Sequence, residues 1–433
     1  MTATRWGPDR SVAVPAIAPP SSVACLRSLG KRGIRTIALS EEESTPAFRS
    51  SYCDESVVVP SPYENLEAYR DALLSIAMRP DVATIIPVRD VDVYVLARDR
   101  TSFAEYIATP WPDLETLTSV QDRVELFDTA ERVGVSAPET RLLEDGGDWS
   151  GEWIVKSRYC VLADEYVDCP PDRIVDPPTT KYLSPGVEPD VETLRAEMGH
   201  DPLVQEYVPT PDEYGFFAIY DHGEALATFQ HRQRRGYSYA GGPSAFRESV
   251  RIPDLEEAGR AVLDAVDWHG VAMVEFLRDE DGEFKLMEVN PRFWSSLPFS
   301  VQAGADFPYY YWLMAHDSPE LIDHEYEAGM AGHLLRGELL YLRSILFEDV
   351  EIVDQPDFTD ALVEVAWSLY EHPRFDYLQA DDLGPFVRDM LNAYDAFKES
   401  DHSDGVVQKG ERRDAAKRLL QRASNSLVGR FRQ

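Results

Sequence analysis

The stretch Val271–Ser296, VAMVEFLRDEDGEFKLMEVNPRFWSS, decides how the rest of the chain is read. Val271–Leu277 and Phe284–Val289 are apolar-rich and bracket Asp281-Gly282, a dipeptide that favours a two-residue type I′ hairpin turn. Such a turn pairs Glu280 with Glu283 and, farther out, Glu275 with Glu288. Two carboxylates then face each other across the hairpin, roughly 5 Å apart at Cβ. Asn290 lies two residues beyond Glu288 and shares its face. Like charges directly opposite are destabilising, and a divalent cation would offset them. Two Glu carboxylates and an Asn carbonyl are hard oxygen ligands of the kind magnesium accepts, with water and phosphate completing the shell. Arg292, just past the second strand, suits charge on a transferring phosphoryl group. A solvated hairpin on an acidic protein is the alternative that these residues alone leave open.

Glu275 followed by MEVNPRFW, Met287–Trp294, resembles the metal-binding signature of the ATP-grasp superfamily. The Asn-Pro-Arg-Phe-Trp continuation is similar to its carboxylate–amine ligase branch. The resemblance covers roughly residues 10–320 and implies an α/β (α+β) chain with the ATP-grasp fold. A parallel-sheet pre-ATP-grasp domain (1–118) would precede it. The ATP-grasp N-terminal subdomain would span 119–200, and the C-terminal subdomain with the metal site 201–320. A helical C-terminal extension (321–400) and a linker with a basic tail (401–433) would follow. It also implies ATP as cofactor, held with two Mg2+ ions (Mn2+ as substitute) by Glu275, Glu288 and Asn290, and a homodimer.

The composition bounds what else the chain can be. Its 433 residues suffice for several domains, and 44% apolar residues is ordinary for a globular protein. The net charge of −35 is extreme, and only seven residues are Lys. Excess carboxylate with few lysines is what a protein adapted to high salt would show, because screening removes the self-repulsion. Nucleic acid is excluded as a partner by the same charge. Four scattered cysteines without a CxxC indicate neither a zinc site nor a disulfide framework. The nine His form no HExxH or ligand-like cluster. With no apolar run long enough to span a bilayer and no signal-like N-terminus, a cytoplasmic location is expected.

Residues 10–118 alternate short apolar runs with helical patterns. Strands are predicted at Ser11–Ile17, Ile34–Leu39, Val57–Val59 and Thr84–Pro87. Helices are predicted at Ser21–Leu29 (ended by Gly30 or Gly33), Leu66–Met78 and Asp92–Arg98. That rhythm implies a parallel sheet with flanking helices. Ala16–Ser22 has Pro where a dinucleotide fingerprint needs Gly, so no NAD site is read there. Arg89 and Asp90 follow the fourth strand, where ligands gather in such sheets, although a surface loop fits them equally.

A single helix is predicted over Ser119–Val133. The resemblance would place a Lys near its start, whereas the chain has Arg123, which keeps the charge without the compact ammonium. Trp153–Lys156 reads as a strand, and the resemblance makes Lys156 a phosphate contact, with Lys181 as a second lysine at the adenine and phosphate side. Between them, Ser157–Thr180 contains no Gly where the family has a flexible Gly-rich loop; Ser157, Arg158 and Tyr159 would have to close over the phosphates instead. Pro202–Pro209 is similar to the family's hinge, with Glu206 taking the adenine amino group, the Tyr207–Val208 backbone completing the edge, and Glu213 as the ribose acid. Gly215–Tyr220 and Ala225–His231 form a hairpin around Asp221–Gly223 and deliver HRQRR, His231–Arg235. Arg forks match carboxylates and phosphates, so Arg232 and Arg234, on one strand face, are taken as contacts of an acyl phosphate or carboxylate. Tyr309–Trp312 read as core, and Leu334–Phe347 and Pro385–Phe397 as helices. Lys409–Gln433 carries eight basic residues against two acidic, and would dock on the acidic surface, lie on an anionic membrane or stay disordered.

Taken together, the residues and the resemblance imply an ATP- and Mg-dependent ligase that activates a carboxylic acid as an acyl phosphate and joins it to an amine. Arg292, with Arg232 or Arg234, would stabilise the acyl phosphate. A carboxylase-type or D-alanine-ligase-type enzyme is an alternative. So is a non-catalytic ATP-binding sensor or scaffold, for which the missing Gly loop is the one positive sign.

Overall fold

Four short, β-branched runs build the first sheet: β1 (Ser11–Pro15), β2 (Arg35–Ser40), β3 (Glu55–Val58) and β4 (Val82–Ile85). All pairings are parallel in the order β3-β2-β1-β4. β1 and β4 are buried along their whole length, as a sheet covered by helices on both faces requires. Helices Ser21–Gly30, Leu66–Ala77 and Asp90–Arg98 supply much of that cover. The first helix runs through Gly30, and Gly33, at φ 76°, turns the chain into β2. The computed structural model describes residues 10–16, 20–209, 213–348 and 353–403, with side chains to residue 395. Ile17 and the basic tail at Lys409–Gln433 lie outside the described residues.

The expected single helix over Ser119–Val133 is two, Leu114–Gln121 and Arg123–Arg132. Asp122 interrupts it. Its backbone is extended, its carboxylate accepts from the Val124 amide at 3.0 Å, and Arg158 grips the same group through Nε and a terminal nitrogen. A small antiparallel sheet follows, in the order β5-β8-β6-β7: β5 (Thr140–Leu142), β6 (Trp153–Lys156), β7 (Lys181–Leu183) and β8 (Leu203–Glu206). It has its own core of Leu143, Trp153, Val155, Leu194, Met198 and Val204.

The third sheet is antiparallel and six-stranded, in the order β13-β12-β9-β10-β11-β14. Its strands are β9 (Glu213–Asp221), β10 (Glu224–Ser238), β11 (Gly241–Ser249), β12 (Gly270–Arg278), β13 (Phe284–Asn290) and β14 (Ala331–His333). The β9–β10 turn takes left-handed backbone at His222 and Gly223, the type I′ signature. The β12–β13 turn is not the expected two-residue one. Arg278 pairs with Phe284, and the loop is closed by Asp279, whose carboxylate accepts from the Glu283 amide at 2.8 Å. Register is then shifted once more, because Phe276 faces Leu286 while Glu275 faces Glu288. Met287 is the extra residue, a β-bulge that restores the expected carboxylate pairing after the longer turn displaced it.

Helices Leu297–Gln302, Phe307–Ala315, Leu335–Phe347, Phe358–Glu371 and Gly384–Ser403 complete the chain. Tyr310 and Tyr311 are core, as expected. No described helix is long and apolar enough to cross a membrane. Buried ion pairs tie these last helices back to the earlier parts. Arg235 pairs with Glu338 and Arg247 with Asp376, while Arg336 and Asp389 join two of the last helices to each other. Arg27, in the first helix, donates to the Asp382 carboxylate and to the carbonyls of Asp376, Tyr377 and Asp382. Asp382 also accepts from the Ser50 hydroxyl and the Ser51 amide.

Arg27 and Asp382 are both essentially inaccessible to water. Replacing Arg27 by Met would leave that carboxylate buried without its cation, a loss of about 3–5 kcal/mol. Urea unfolding of the variant against the parent would read this as a lowered midpoint, whereas an unchanged midpoint would mean the pair fastens nothing.

Candidate functional site

The β12–β13 hairpin forms one wall of a cavity of about 560 Å3 whose opposite wall comes from β6, β7 and β8 of the small sheet. Because of the Met287 bulge, Met287 and Glu288 both line the cavity, beside Glu275 and Asn290. The Asn290 amide nitrogen donates to Glu275 at 2.9 Å, and its oxygen accepts from Arg292 at 2.8 Å. Arg292 is oriented by Asp90, at 2.7 Å, from the start of the helix that follows β4. Arg123, the first residue of its helix, donates to Glu288 at 2.7 Å and to the Ser157 carbonyl at 2.8 Å. Lys156, at the end of β6, lies across the cavity and donates to Gln205 at 3.3 Å.

The charges set one another. Burial, then the neighbouring Glu288 charge, pushes the Glu275 carboxyl well above the usual range. Burial acts the same way on Glu288, yet Arg123 and Lys156 outweigh it and hold that carboxylate low. Burial, with Arg123 adding to it, brings the Lys156 ammonium down to about 8. Glu275, Glu288 and the Asn290 oxygen are thus a hard-oxygen set on one face, of the kind Mg2+ or Mn2+ accepts.

Toward the other end of the small sheet, Glu206, Tyr207 and Val208 line the cavity with Ile154, Tyr182 and Leu277. Glu213 lines it too; it accepts from Gln233 at 2.6 Å, and burial raises it to about 7.

Three expected residues are not brought here. Lys181 is paired with Glu197 on the outer side of β7, and its neighbours Thr180 and Tyr182 line the cavity instead. Arg232 and Arg234 do share a strand face, but it is the far one. Arg232 lies over the Tyr214 ring and Arg234 near Glu248, while the alternate residues His231 and Gln233 face the cavity. Ser157, Arg158 and Tyr159 do not close over the site either. Arg158 is held by Asp122, Tyr159 stacks on Tyr166 at 5.1 Å, and the Ser157 hydroxyl meets His200 at 3.1 Å. The segment they begin is packed on the first domain through buried Val161, Ala163 and Ile174 and the bond from the Leu66 amide to the Asp172 carbonyl. Arg89, for which a surface loop was one of two readings, is buried against Asp92, Glu41 and Tyr69. One His grouping went unseen in the sequence. Asp221, His222 and His269 bring ligand atoms within 4.8 Å of one another at the β9–β10 turn, outside the cavity.

Sequence reasoning missed Gln205, Tyr182, His231 and Gln233. Strand geometry was the available signal for two of them, since Gln205 sits two residues from Tyr207 and Gln233 pairs with Glu213.

Residues 200–331 match the protein family described as "ATP-grasp in the biosynthetic pathway with Ter operon". No curated protein sequence matches the chain. Among solved structures, it is similar to the biotin carboxylase domain of Hydrogenobacter thermophilus 2-oxoglutarate carboxylase, a dimer in complex with MgADP, ADP and bicarbonate. The TM-score is 0.56 at 15% identity, over 74% of this chain and 73% of that one. The L-amino acid ligase from Bacillus licheniformis gives 0.55 at 13% identity, over 76% and 79%. Carboxyaminoimidazole ribonucleotide synthase from Aspergillus clavatus, complexed with ATP, gives 0.54 at 15% identity, over 75% and 81%. The chain therefore has the ATP-grasp fold behind an N-terminal parallel sheet, and the family match takes in Glu275 and MEVNPRFW.

Asp90 accepts from Arg292, which in turn donates to Asn290 Oδ1, one of the three oxygen groups that could hold a metal. Asp90→Asn is expected to weaken Mn2+ binding in the presence of ATP by about 10–100-fold, the usual scale for an outer partner of a metal ligand. Electron paramagnetic resonance titration of free Mn2+ checks this, and unaltered affinity would remove Asp90 from the site.

Proposed function

We propose that the chain is an ATP-dependent ligase that activates a small carboxylic acid as its acyl phosphate and joins it to an amine. One observation carries the reading. Glu275 and Glu288 face each other in register, with Asn290 and Arg292 beside them, inside a cavity that also receives Lys156 from the opposite wall.

Carboxylates do not condense with amines in neutral water, so the acid needs a leaving group. Its oxygen attacks the γ-phosphorus of ATP and the bond to the β-phosphate oxygen breaks, giving acyl phosphate and ADP. The amine nitrogen then attacks the acyl carbon, inorganic phosphate departs, and the nitrogen loses its proton. The protein's part is positioning and charge neutralisation rather than covalent catalysis. Glu275, Glu288 and Asn290 would hold Mg2+, which when bound neutralises the phosphates and orients them. Lys156 would contact the phosphates, and Arg292 would stabilise charge at the transferring group. Glu206, Tyr207 and Val208 would take the adenine edge, and Glu213 the ribose. Arg123, already hydrogen-bonded to Glu288, keeps that carboxylate ionised and ready for the cation.

A second reading has its own support. The packed Gly-free segment 157–180 supplies no backbone cover for phosphates, which suits a protein that binds ATP without turning it over. The net charge of −35 also supports a working environment of high salt.

The deciding assay is ADP release with ATP and Mg2+ in molar KCl, over a panel of carboxylic acids and amines. One acid–amine pair is expected to be required, and Glu288→Gln to lower the rate at least about a hundredfold. Nucleotide binding without ADP from any pair would favour the sensor. Thermal melting is expected to shift upward between about 0.1 and 2 M KCl as screening relieves the repulsion; a flat or falling midpoint would dismiss salt adaptation.

A further inference from the structure

Beyond the metal carboxylates, the cavity ends among His231, Ser244, Trp294, Ser295 and Ser296. Three polar atoms of this end have no hydrogen-bond partner: His231 Nδ1, Trp294 Nε1 and Ser244 Oγ. His231 and Trp294 are 3% and 1% exposed. Buried polar atoms are almost always satisfied, so three left open in one pocket end call for a partner.

The sheet places this end relative to the reaction. His231 pairs with Gly215 on β9, and Gly215 pairs with Glu275 on β12. At about 4.8 Å per strand, the His231 backbone is about 10 Å from that of Glu275. Gly215, between them, has no side chain of its own and is covered by the Phe217 ring and the end of Met273. A Cβ there would lie 2.4 Å from the Phe217 ring and 3.3 Å from Met273. Arg247, locked to Asp376, donates to the Ser244 carbonyl at 3.1 Å, and Phe217 and Phe299 flank the His231 ring.

The chemistry at this end is one-sided. The Trp294 N–H can only donate, Ser244 can donate, and no carboxylate lies among the residues that form it. Burial and the nearby Arg247 push the His231 ring down to about 3, so it is neutral and adds no charge. An ammonium group would find no counter-charge here; an oxygen acceptor would find two donors.

We propose that this pocket end is the subsite for the tail of the acid substrate, and that it takes an oxygen-bearing group without an ammonium, such as a hydroxyl or a second carboxylate. His231, Ser244 and Trp294 then determine which acid is activated at Glu275 and Glu288. The proposal rests on the ligase reading above.

It is tested by calorimetric titration of the full chain, loaded with Mg2+ and a non-hydrolysable ATP analogue. The probes are straight-chain acids of four, five and six carbons ending in methyl, hydroxyl, carboxylate or ammonium. At one length the hydroxyl- or carboxylate-ended acid is expected to bind roughly tenfold tighter than the methyl- and ammonium-ended ones. Ser244→Ala and His231→Phe are expected to erase that preference, and Arg232→Ala, on the opposite strand face, to keep it. Phe at 231 enters an aromatic surround, and melting curves report whether that variant folds. If it does not, Ser244→Ala alone decides. Equal binding of all four end groups, preference for ammonium, no binding of any probe to the loaded protein, or a preference that survives Ser244→Ala would each overturn the proposal. Failure of the wild type to bind the nucleotide analogue would instead overturn the reading on which it rests.

Discussion

Two carboxylates held face to face across a hairpin cannot stay there without compensation, and the rest of the structure supplies it. Glu275 and Glu288 are half-buried inside the cavity, where their repulsion is screened less than in open water. Arg123 reaches Glu288 from the start of a helix, Lys156 comes from the small sheet, and Arg292 is aimed by Asp90 from the parallel-sheet domain. Each compensating group belongs to a different part of the chain. The packing of those parts is therefore written into the electrostatics of one hairpin, and the site forms only when all of them are assembled.

The hairpin was legible in the sequence, though not by the route first taken. Asp281-Gly282 predicts a tight turn, but Asp279 can cap the Glu283 amide and closes a longer loop. The Met287 bulge then corrects the register, so the carboxylates meet as the motif requires. A bulge leaves little trace in a single sequence, because it depends on which ladder hydrogen bonds win. The parallel sheet was legible for a simpler reason: buried parallel strands are near-continuous β-branched runs, and SVAVP and VATI are such runs.

What could not be read depended on contacts between distant residues. HRQRR advertises its arginines, yet alternation turns Arg232 and Arg234 away and gives the cavity His231 and Gln233. Nothing local says which face of β10 is inward; that is fixed by its pairing with β9 and β11. Asp122 splits a helix because Arg158 grips it, a contact invisible from helical periodicity. The C-terminal region offered no chemistry in sequence because its acids, Glu338, Asp376, Asp382 and Asp389, gain meaning only opposite Arg235, Arg247, Arg27 and Arg336.

The clasp between Arg27 and Asp382 joins residues 355 positions apart. It has a consequence for how the chain is made. Synthesis proceeds from the N-terminus, and domains fold as they emerge. The parallel sheet can assemble early, but Arg27 then waits at its surface as an unsatisfied cation until nearly the whole chain has left the ribosome. The last helices thus act as a seal on the first domain, and a nascent chain cut short before Asp382 carries a mark of incompleteness that the finished molecule hides.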